Sequence, residues 1–531
     1  MNKKRLALGG AAIVAAAALA LTGCSAGGGG TTPTTSSSPI TVENNEPQNP
    51  LIPAITNEVG GGLVLQNIFA MPIYYAADGS MKYDAAESIE SDDNQNWTIK
   101  LKADQTFSDG TPVTADSFVK AWQYAASDPK FENEWWFANF AGYEEGENSL
   151  HLKVVDDTTF TVELASPQAD FPISLGYTVF APLPDSFFDD PDSFGQAPIG
   201  NGPYKLESWT HDQEIKLVPN DTYKGDRVPQ NSGVDLLVYA ELTAAYTDVL
   251  DDKLDITKSV PTEAIATFES DLGDRAVNQA AAVWQGLTIP QNLAHFSGEE
   301  GKLRRAAISY AINRDEINQT IFNGTREPAS DFTSPVIAGW SDSIPGSEVT
   351  HFDADKAKEL WAQADAISPW DGTFSIKYNA DGGHQPWVDA VANQLKNTLG
   401  IDAAGVSYPD FASLRAEIKA RTAGAATRSG WQFDYPGAYN ILGALFTTGA
   451  GSNDGDYSNP EYDDLVNKGA TASSIDESNK YFEQAQEVLF QDLPVIPLWY
   501  SNVTAGYSTK VSNVEFGWDS WPILYQITKS E

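Results

Sequence analysis

The chain has a single cysteine, Cys24, among 531 residues. It therefore forms no internal disulfide and no thiolate zinc site. Histidine is nearly as scarce: His151, His211, His295, His351 and His384 are scattered, with no pair at helical spacing. That argues against a transition-metal site built on imidazoles. Positive charge is also in short supply. Thirty-three Lys and Arg face 73 Asp and Glu, for a formal charge of −40. A phosphate backbone would be repelled by such a surface, so nucleic acid is excluded as a partner.

Aromatics and apolar residues are present in quantity: 41% of the chain is hydrophobic and 11% aromatic. That is enough for globular folding, and the length calls for two or three domains. Lys3-Lys4-Arg5 and the apolar run from Leu6 to Leu21 have the form of a signal peptide over residues 1–23. Leu21-Thr22-Gly23-Cys24 resembles the lipobox of bacterial lipoproteins. The resemblance implies cleavage before Cys24, lipidation of that residue, and localisation at the extracytoplasmic face of the cell membrane. Residues 24–40, made mainly of Ala, Gly, Ser, Thr and Pro, read as a flexible linker. No other apolar run approaches spanning length.

Two stretches carry chemistry or pattern. Arg428-Ser429-Gly430-Trp431-Gln432-Phe433-Asp434-Tyr435-Pro436-Gly437 sets a carboxylate among rings beside glycine-bearing turns. Such an acid is costly to bury without a cation or donors. The residues alone allow a cationic ligand or a structural Arg428–Asp434 pair. Catalytic signatures are missing. Ser117-Phe118-Val119-Lys120 has no accompanying Ser-Asp-Asn or Lys-Thr-Gly, and no nucleophile elbow, zinc-protease motif or phosphate loop is present. Asp454-Gly455-Asp456-Tyr457-Ser458-Asn459 lacks the loop glycine of a calcium site and reads as a solvated loop. Neither an enzyme nor a cofactor or metal is expected.

The alternating strand Trp97-Thr98-Ile99-Lys100-Leu101 precedes Phe107-Ser108-Asp109-Gly110-Thr111-Pro112-Val113-Thr114-Ala115-Asp116-Ser117-Phe118-Val119. In the latter, Thr114 predicts a helix start, with Phe118, Val119, Trp122 and Ala126 on one face. Together they resemble the solute-binding proteins of peptide-type ABC importers, the oligopeptide- and dipeptide-binding family 5. Pro198-Ile199-Gly200-Asn201-Gly202-Pro203-Tyr204, the helix Leu303–Arg314, the segment Leu254-Asp255-Ile256 with Val260-Pro261, and Asp492–Leu498 extend the match over nearly all of Gln48 to Tyr500.

The resemblance implies an α/β, two-lobed periplasmic-binding-protein-like fold (type II, the large three-subdomain variant) with a ligand cleft between lobes. Its parts are expected at 41–82, 199–283 and 497–531 for the main subdomain of lobe I, 83–198 for its extra subdomain, and 284–496 for lobe II. Function is expected to be capture of short peptides by lobe closure and delivery to the permease subunits of an ABC importer, by a monomer. The alternative is the same fold holding a metal chelate, an oligosaccharide or a signalling peptide. Gly430-Trp431-Gln432-Phe433-Asp434-Tyr435 matches the family's Gly-Trp-x-x-Asp-Tyr, which implies that Asp434 receives the peptide α-ammonium. Arg428 and His384 are expected to meet a ligand carboxylate, and Phe411 to wall a side-chain pocket. Trp284, Trp431, Tyr435 and Tyr439 are expected along the cleft, and backbone groups of Ser429, Gly430 and Gln432 to bind an extended peptide as an added strand.

The membrane expectation has a direct check. Cys24→Ala should move the protein from the membrane fraction to the soluble fraction; retention in the membranes would refute lipidation at that residue.

Overall fold

The computed structural model describes residues 38–530. The signal peptide, Cys24 and all but the end of the linker lie outside these residues. The frame is an eleven-stranded mixed sheet. Its order runs Asp402–Tyr408, Thr373–Asn379, Ala426–Gln432, Ala276–Thr288, Val495–Tyr507, Ile256–Thr257, Ile40–Asn44, Val234–Val238, Glu214–Pro219 and Tyr204–Thr210, with Arg326–Pro328 paired beside Val495–Tyr507.

Local sequence explains the elements well. Asn96–Leu101 alternates exposed and buried, with Trp97, Ile99 and Leu101 inward, as a period of two requires. It belongs to a separate four-stranded antiparallel sheet with Ala86–Glu90, Thr159–Glu163 and Leu152–Asp156, all within 83–198. The helix Ala115–Ala125 covers that sheet. Ser117 Oγ accepts from the Thr114 N–H at 3.2 Å at its start, and Phe118 and Trp122 pack edge-to-face at 6.2 Å. Its buried face is Phe118, Ala121, Trp122 and Ala125, while Val119 is half-buried. Gln385–Leu399 buries Val388, Val391 and Leu395 and stops at Gly400, whose φ of 70° suits glycine.

The turn Gly200-Asn201-Gly202 is set by close approach. A Cβ on Gly200 would fall 1.9 Å from the Ile68 carbonyl oxygen. Asn201 clasps Ala70 on both sides, accepting from its N–H at 2.8 Å and donating to its carbonyl at 3.0 Å. The run Leu303–Arg314 is not one amphipathic helix. One helix, Gly298–Ala311, ends and a second, Arg314–Thr320, starts under the side-chain cap of Asn313. The arginines point inward to unfilled carbonyls. Arg305 donates to Asp492 O at 2.8 Å, and Arg314 to Pro497 O at 2.7 Å. Arg304 lies over the Trp361 and Trp370 rings.

The cores divide the molecule. One large core joins the first part of the main sheet to the four-stranded sheet, through Phe118, Trp122, Phe160 and Phe180. Two others cover opposite faces of the later strands: Trp284, Phe332, Phe446 and Leu489 on one, Ile308, Trp387, Val391 and Trp499 on the other. Only two long strands, Ala276–Thr288 and Val495–Tyr507, run from the first core into the later pair. Their ladder breaks between Ala280 and Trp284. Leu498, Trp499 and Tyr500 pack with the later cores, whereas Val503 and Ala505 pack with the first. On the second strand the crossing therefore follows Tyr500 rather than 496.

Beneath the first core, Asp84 and Arg227 form a buried pair, with Nε to Oδ2 at 3.0 Å. The remaining guanidinium donors reach Gln66 O and Phe69 O, each at 2.8 Å. Most of its donors are used and the charge is matched, so loss of one partner strands the other. Arg227→Ala should cost roughly 3–5 kcal/mol in urea unfolding, and Asp84→Leu with Arg227→Met clearly less. Equal loss in the single and double variants would contradict this reading.

Candidate functional site

The strand Ala426–Gln432 takes its place from its two neighbours. Antiparallel pairing with Ala276–Thr288 runs its whole length, from Thr427 opposite Thr288 to Gln432 opposite Val283. The parallel neighbour Thr373–Asn379 pairs only at Ala426 and Thr427. Beyond Thr427 the other edge of Arg428–Gln432 has no strand partner among the described residues. Ser429, Gly430 and Gln432 lie on this stretch, opposite Gly286, Gln285 and Val283. A Cβ on Gly430 would sit 3.5 Å from Trp284 O, an ordinary contact, so packing does not demand glycine there. Gly437 is different: a Cβ would fall 2.6 Å from the Tyr435 ring.

Residues facing each other across the pair share a face. Trp284 lies opposite Trp431, and both turn to the same core. Trp284 is fully buried, stacks near Phe332 at 6.2 Å and donates its Nε1–H to Asp331 O at 3.2 Å. It is a core residue and not part of the cleft wall. Tyr435 is likewise buried, and its hydroxyl donates to Asp170 Oδ2 at 2.9 Å. It ties the Asp434 loop to the 83–198 region instead of lining the cleft. Tyr439 stacks on Phe482.

Asp434 follows the strand end and is half-buried. Asn440, in the helix Tyr439–Phe446, holds it. The Asn440 amide donates to Asp434 Oδ2 at 3.1 Å, and its carbonyl oxygen accepts from the Asp434 N–H at 3.2 Å and from Trp431 Nε1 at 2.7 Å. Asp434 makes no ion pair among the described residues, so an Arg428–Asp434 pair is not the arrangement. Arg428 instead donates through Nε to Asn379 Oδ1 at 2.7 Å and lies 4.5 Å from the Phe411 ring centre. His384 Nδ1 accepts from Trp387 Nε1 at 3.1 Å. The acids of the suspected calcium loop are engaged by cations: Asp454 with Arg415, and Asp456 with Arg421 at 2.8 Å.

Asp434 opens on a cavity of about 280 Å³. Its walls come from five segments: Thr56–Val59 with Gly62 and Gln66, then Tyr75, Gly176–Thr178, Gln432–Asp434, and Trp518, Asp519 and Trp521. Of the residues expected at the site, Gln432 and Asp434 line it; Arg428, His384 and Phe411 do not. Asn440, Tyr75, Tyr177 and Asp519 were missed. Asp519 had a readable signal, because Gly517-Trp518-Asp519-Ser520-Trp521 is again an acid among rings after a glycine.

One residue joins the two acidic segments. Where the long ladder breaks, the Ala282 N–H donates to Trp518 O at 2.8 Å and its carbonyl accepts from the Phe433 N–H at 3.0 Å. Glu58, Asp434 and Asp519 share a cavity whose lining, among the described residues, has no Lys, Arg or His. Burial raises the pKa of both Asp434 and Asp519 from 3.8 to about 6, against the lowering effect of Asn440 on one and of the Trp521 N–H on the other. The buried Tyr75 hydroxyl is pushed up by desolvation first, and then by Asp519 and Asp434. The site is built to neutralise positive charge in a partly dry, aromatic setting.

Comparison with known proteins places this geometry in a family. The chain matches the family model "Bacterial extracellular solute-binding proteins, family 5 Middle" over residues 80–453. It is 26% identical over 482 residues to the oligopeptide-binding protein OppA of Bacillus subtilis, covering 85% of each chain. It is 26% identical over 468 residues to the periplasmic murein peptide-binding protein MppA of Escherichia coli, covering 83% of each. Among solved structures, the unliganded open form of the murein tripeptide-binding protein MppA superposes with a TM-score of 0.81 at 21% identity, over 94% of this chain and 99% of that one, which establishes the shared fold. These matches make the chain a binding protein and not an enzyme: it belongs to the bacterial extracellular solute-binding proteins, family 5.

Proposed function

We propose that the protein captures short peptides outside the cytoplasm and passes them to the permease of an ABC importer, with Asp434 receiving the peptide α-ammonium. The observation that carries this reading is the Asp434 carboxylate itself. It is half-buried in a cavity wall, steadied by Asn440, and forms no ion pair among the described residues. An ammonium supplies the missing charge and up to three donors. Gln432, on the unpaired strand edge, lies between Asp434 and Gly430, so a peptide bonded along that edge would start at the acid. Peptide-binding names among the relatives support the same substrate class.

In this proposal the lobes close on the ligand about the two long strands. The ladder interruption between Ala280 and Trp284 is the part of the crossing with the fewest cross-strand bonds. Lipidation of Cys24 would keep the capture step beside the membrane, where the importer recognises the closed form.

Calorimetry on the purified full chain in detergent tests the acid. Trialanine should bind, and N-acetyl-trialanine should not. Asp434→Asn should lose roughly 2–5 kcal/mol of affinity for trialanine. Equal binding of the free and acetylated peptides would refute the proposed role of Asp434.

Protonation provides an independent test. Asp434 and Asp519 have folded-state pKa values of about 6, above the unfolded 3.8. Their protonated forms favour the empty folded state below about pH 4, and that contribution is lost as pH rises through 6. An ammonium needs the carboxylate, so binding and protonation compete. Trialanine affinity should fall about tenfold between pH 7 and pH 5, and the thermal stabilisation given by the peptide should be larger at pH 7. A flat profile over this range would contradict the assignment.

A further inference from the structure

We infer that the cavity is made for a peptide carrying a second cation near its amino terminus, a Lys or Arg at the first or second position, and that Asp519 receives it. This rests on the reading of Asp434 as the α-ammonium receiver.

The inference starts from a charge imbalance inside one cavity. Three carboxylates line it, and none of them forms an ion pair among the described residues. Elsewhere buried acids are either paired with a cation, as Asp84 with Arg227, Asp255 with Lys529 at 2.6 Å and Asp492 with Lys302 at 2.6 Å, or saturated by hydrogen bonds, as Asp170 and Asp331 are. One α-ammonium cancels a single charge. A second acid in the same desolvated space then either takes a proton or meets another cation.

The three acids are not equivalent. Glu58 is already in use at the start of the helix Val59–Ile68, where its oxygens accept from the Gly61 N–H at 3.0 Å and the Gln48 N–H at 3.2 Å. Asp434 is held by Asn440. Asp519 keeps one poorly filled oxygen: Oδ1 accepts from the Trp521 N–H at 3.1 Å, while Oδ2 has only the Gln66 amide at 3.5 Å. That leaves most of the acceptor capacity of one oxygen unused.

Its surroundings suit a long cationic side chain. Trp518 and Trp521 flank Asp519 and line the same cavity. Trp518 is fixed edge-on to Tyr75, with centroids 5.3 Å apart. Trp521 closes over Gly62, where a Cβ would come within 2.9 Å of the ring. Indole and phenol faces bind both the methylene stem and the charged head of Lys or Arg. Tyr75 lines the same cavity as Asp434 and Asp519, and both acids act on its hydroxyl.

The experiment is calorimetry on the full chain in detergent with Lys-Ala-Ala and Ala-Lys-Ala, their norleucine counterparts, and the N-acetyl forms. At least one Lys peptide should bind tenfold or more tightly than its norleucine analogue. Asp519→Asn should shrink that preference to under threefold. Asp519→Ser, which keeps an acceptor for the Trp521 N–H, replaces it if melting shows that the Asn variant does not fold. Lys and norleucine peptides bound within threefold of each other would overturn the inference, as would a preference that survives loss of Asp519. In either case, continued loss of binding on acetylation would leave the Asp434 reading standing. If no peptide binds, both readings fall.

Discussion

The site depends on a gap in one β-ladder. Along Ala276–Thr288 the backbone is committed to Val495–Tyr507, except between Ala280 and Trp284. Ala282 there turns its donor to Trp518 and its acceptor to Phe433. A buried peptide group must find partners somewhere. By finding them in two segments far apart in sequence, Ala282 draws the Asp434 loop and the Asp519 loop onto the same cavity. The same gap lies where the two long strands pass between cores. The position of the acids thus depends on this break in the ladder.

Electrostatics then gives the cavity its chemistry. Acids are abundant on this chain and most of their charges are solvated, as the formal charge of −40 requires. Within the fold, cations are spent on structure. Arg227 answers Asp84, and Arg305 and Arg314 cap carbonyls, while no Lys or Arg among the described residues lines the cavity. Asn440 is the economical substitute for a cation at Asp434. It orients the carboxylate and satisfies one lone pair without cancelling the charge, which leaves that charge for the ammonium we propose. Asp170 shows the contrast: it too is buried, but the Tyr435 hydroxyl and Gln168 take up its oxygens, and it serves as a tie.

Much was legible before any coordinates. Period-two alternation marked Trp97-Ile99-Leu101 as an inward face. Asp434 stood out because a carboxylate among rings is anomalous on chemical grounds alone. The same logic pointed to Asp519 but was not applied to it. Other readings failed because local sequence does not say which face of a strand meets solvent. Trp284 and Trp431 are both aromatic neighbours of the site in sequence pattern, yet pairing register turns both toward one core. Tyr435 looked like a cleft wall, but a long-range bond to Asp170 buries it.

By itself, then, the sequence determined most element types, the family pattern and the exclusion of metal-thiolate and disulfide chemistry, and it singled out Asp434 as an acid set among rings. These follow from composition, periodicity and short-range chemistry, which act within a few residues. Tertiary structure decided which side chains share a space. The meeting of Glu58, Asp434 and Asp519, the service of Asn440 to Asp434, and the diversion of Arg428 to Asn379 and Phe411 arise from contacts between residues as far apart as 58 and 519. No local pattern encodes such contacts, because they come from strand register, from a break in one ladder, and from the burial that makes each unpaired polar group seek a partner.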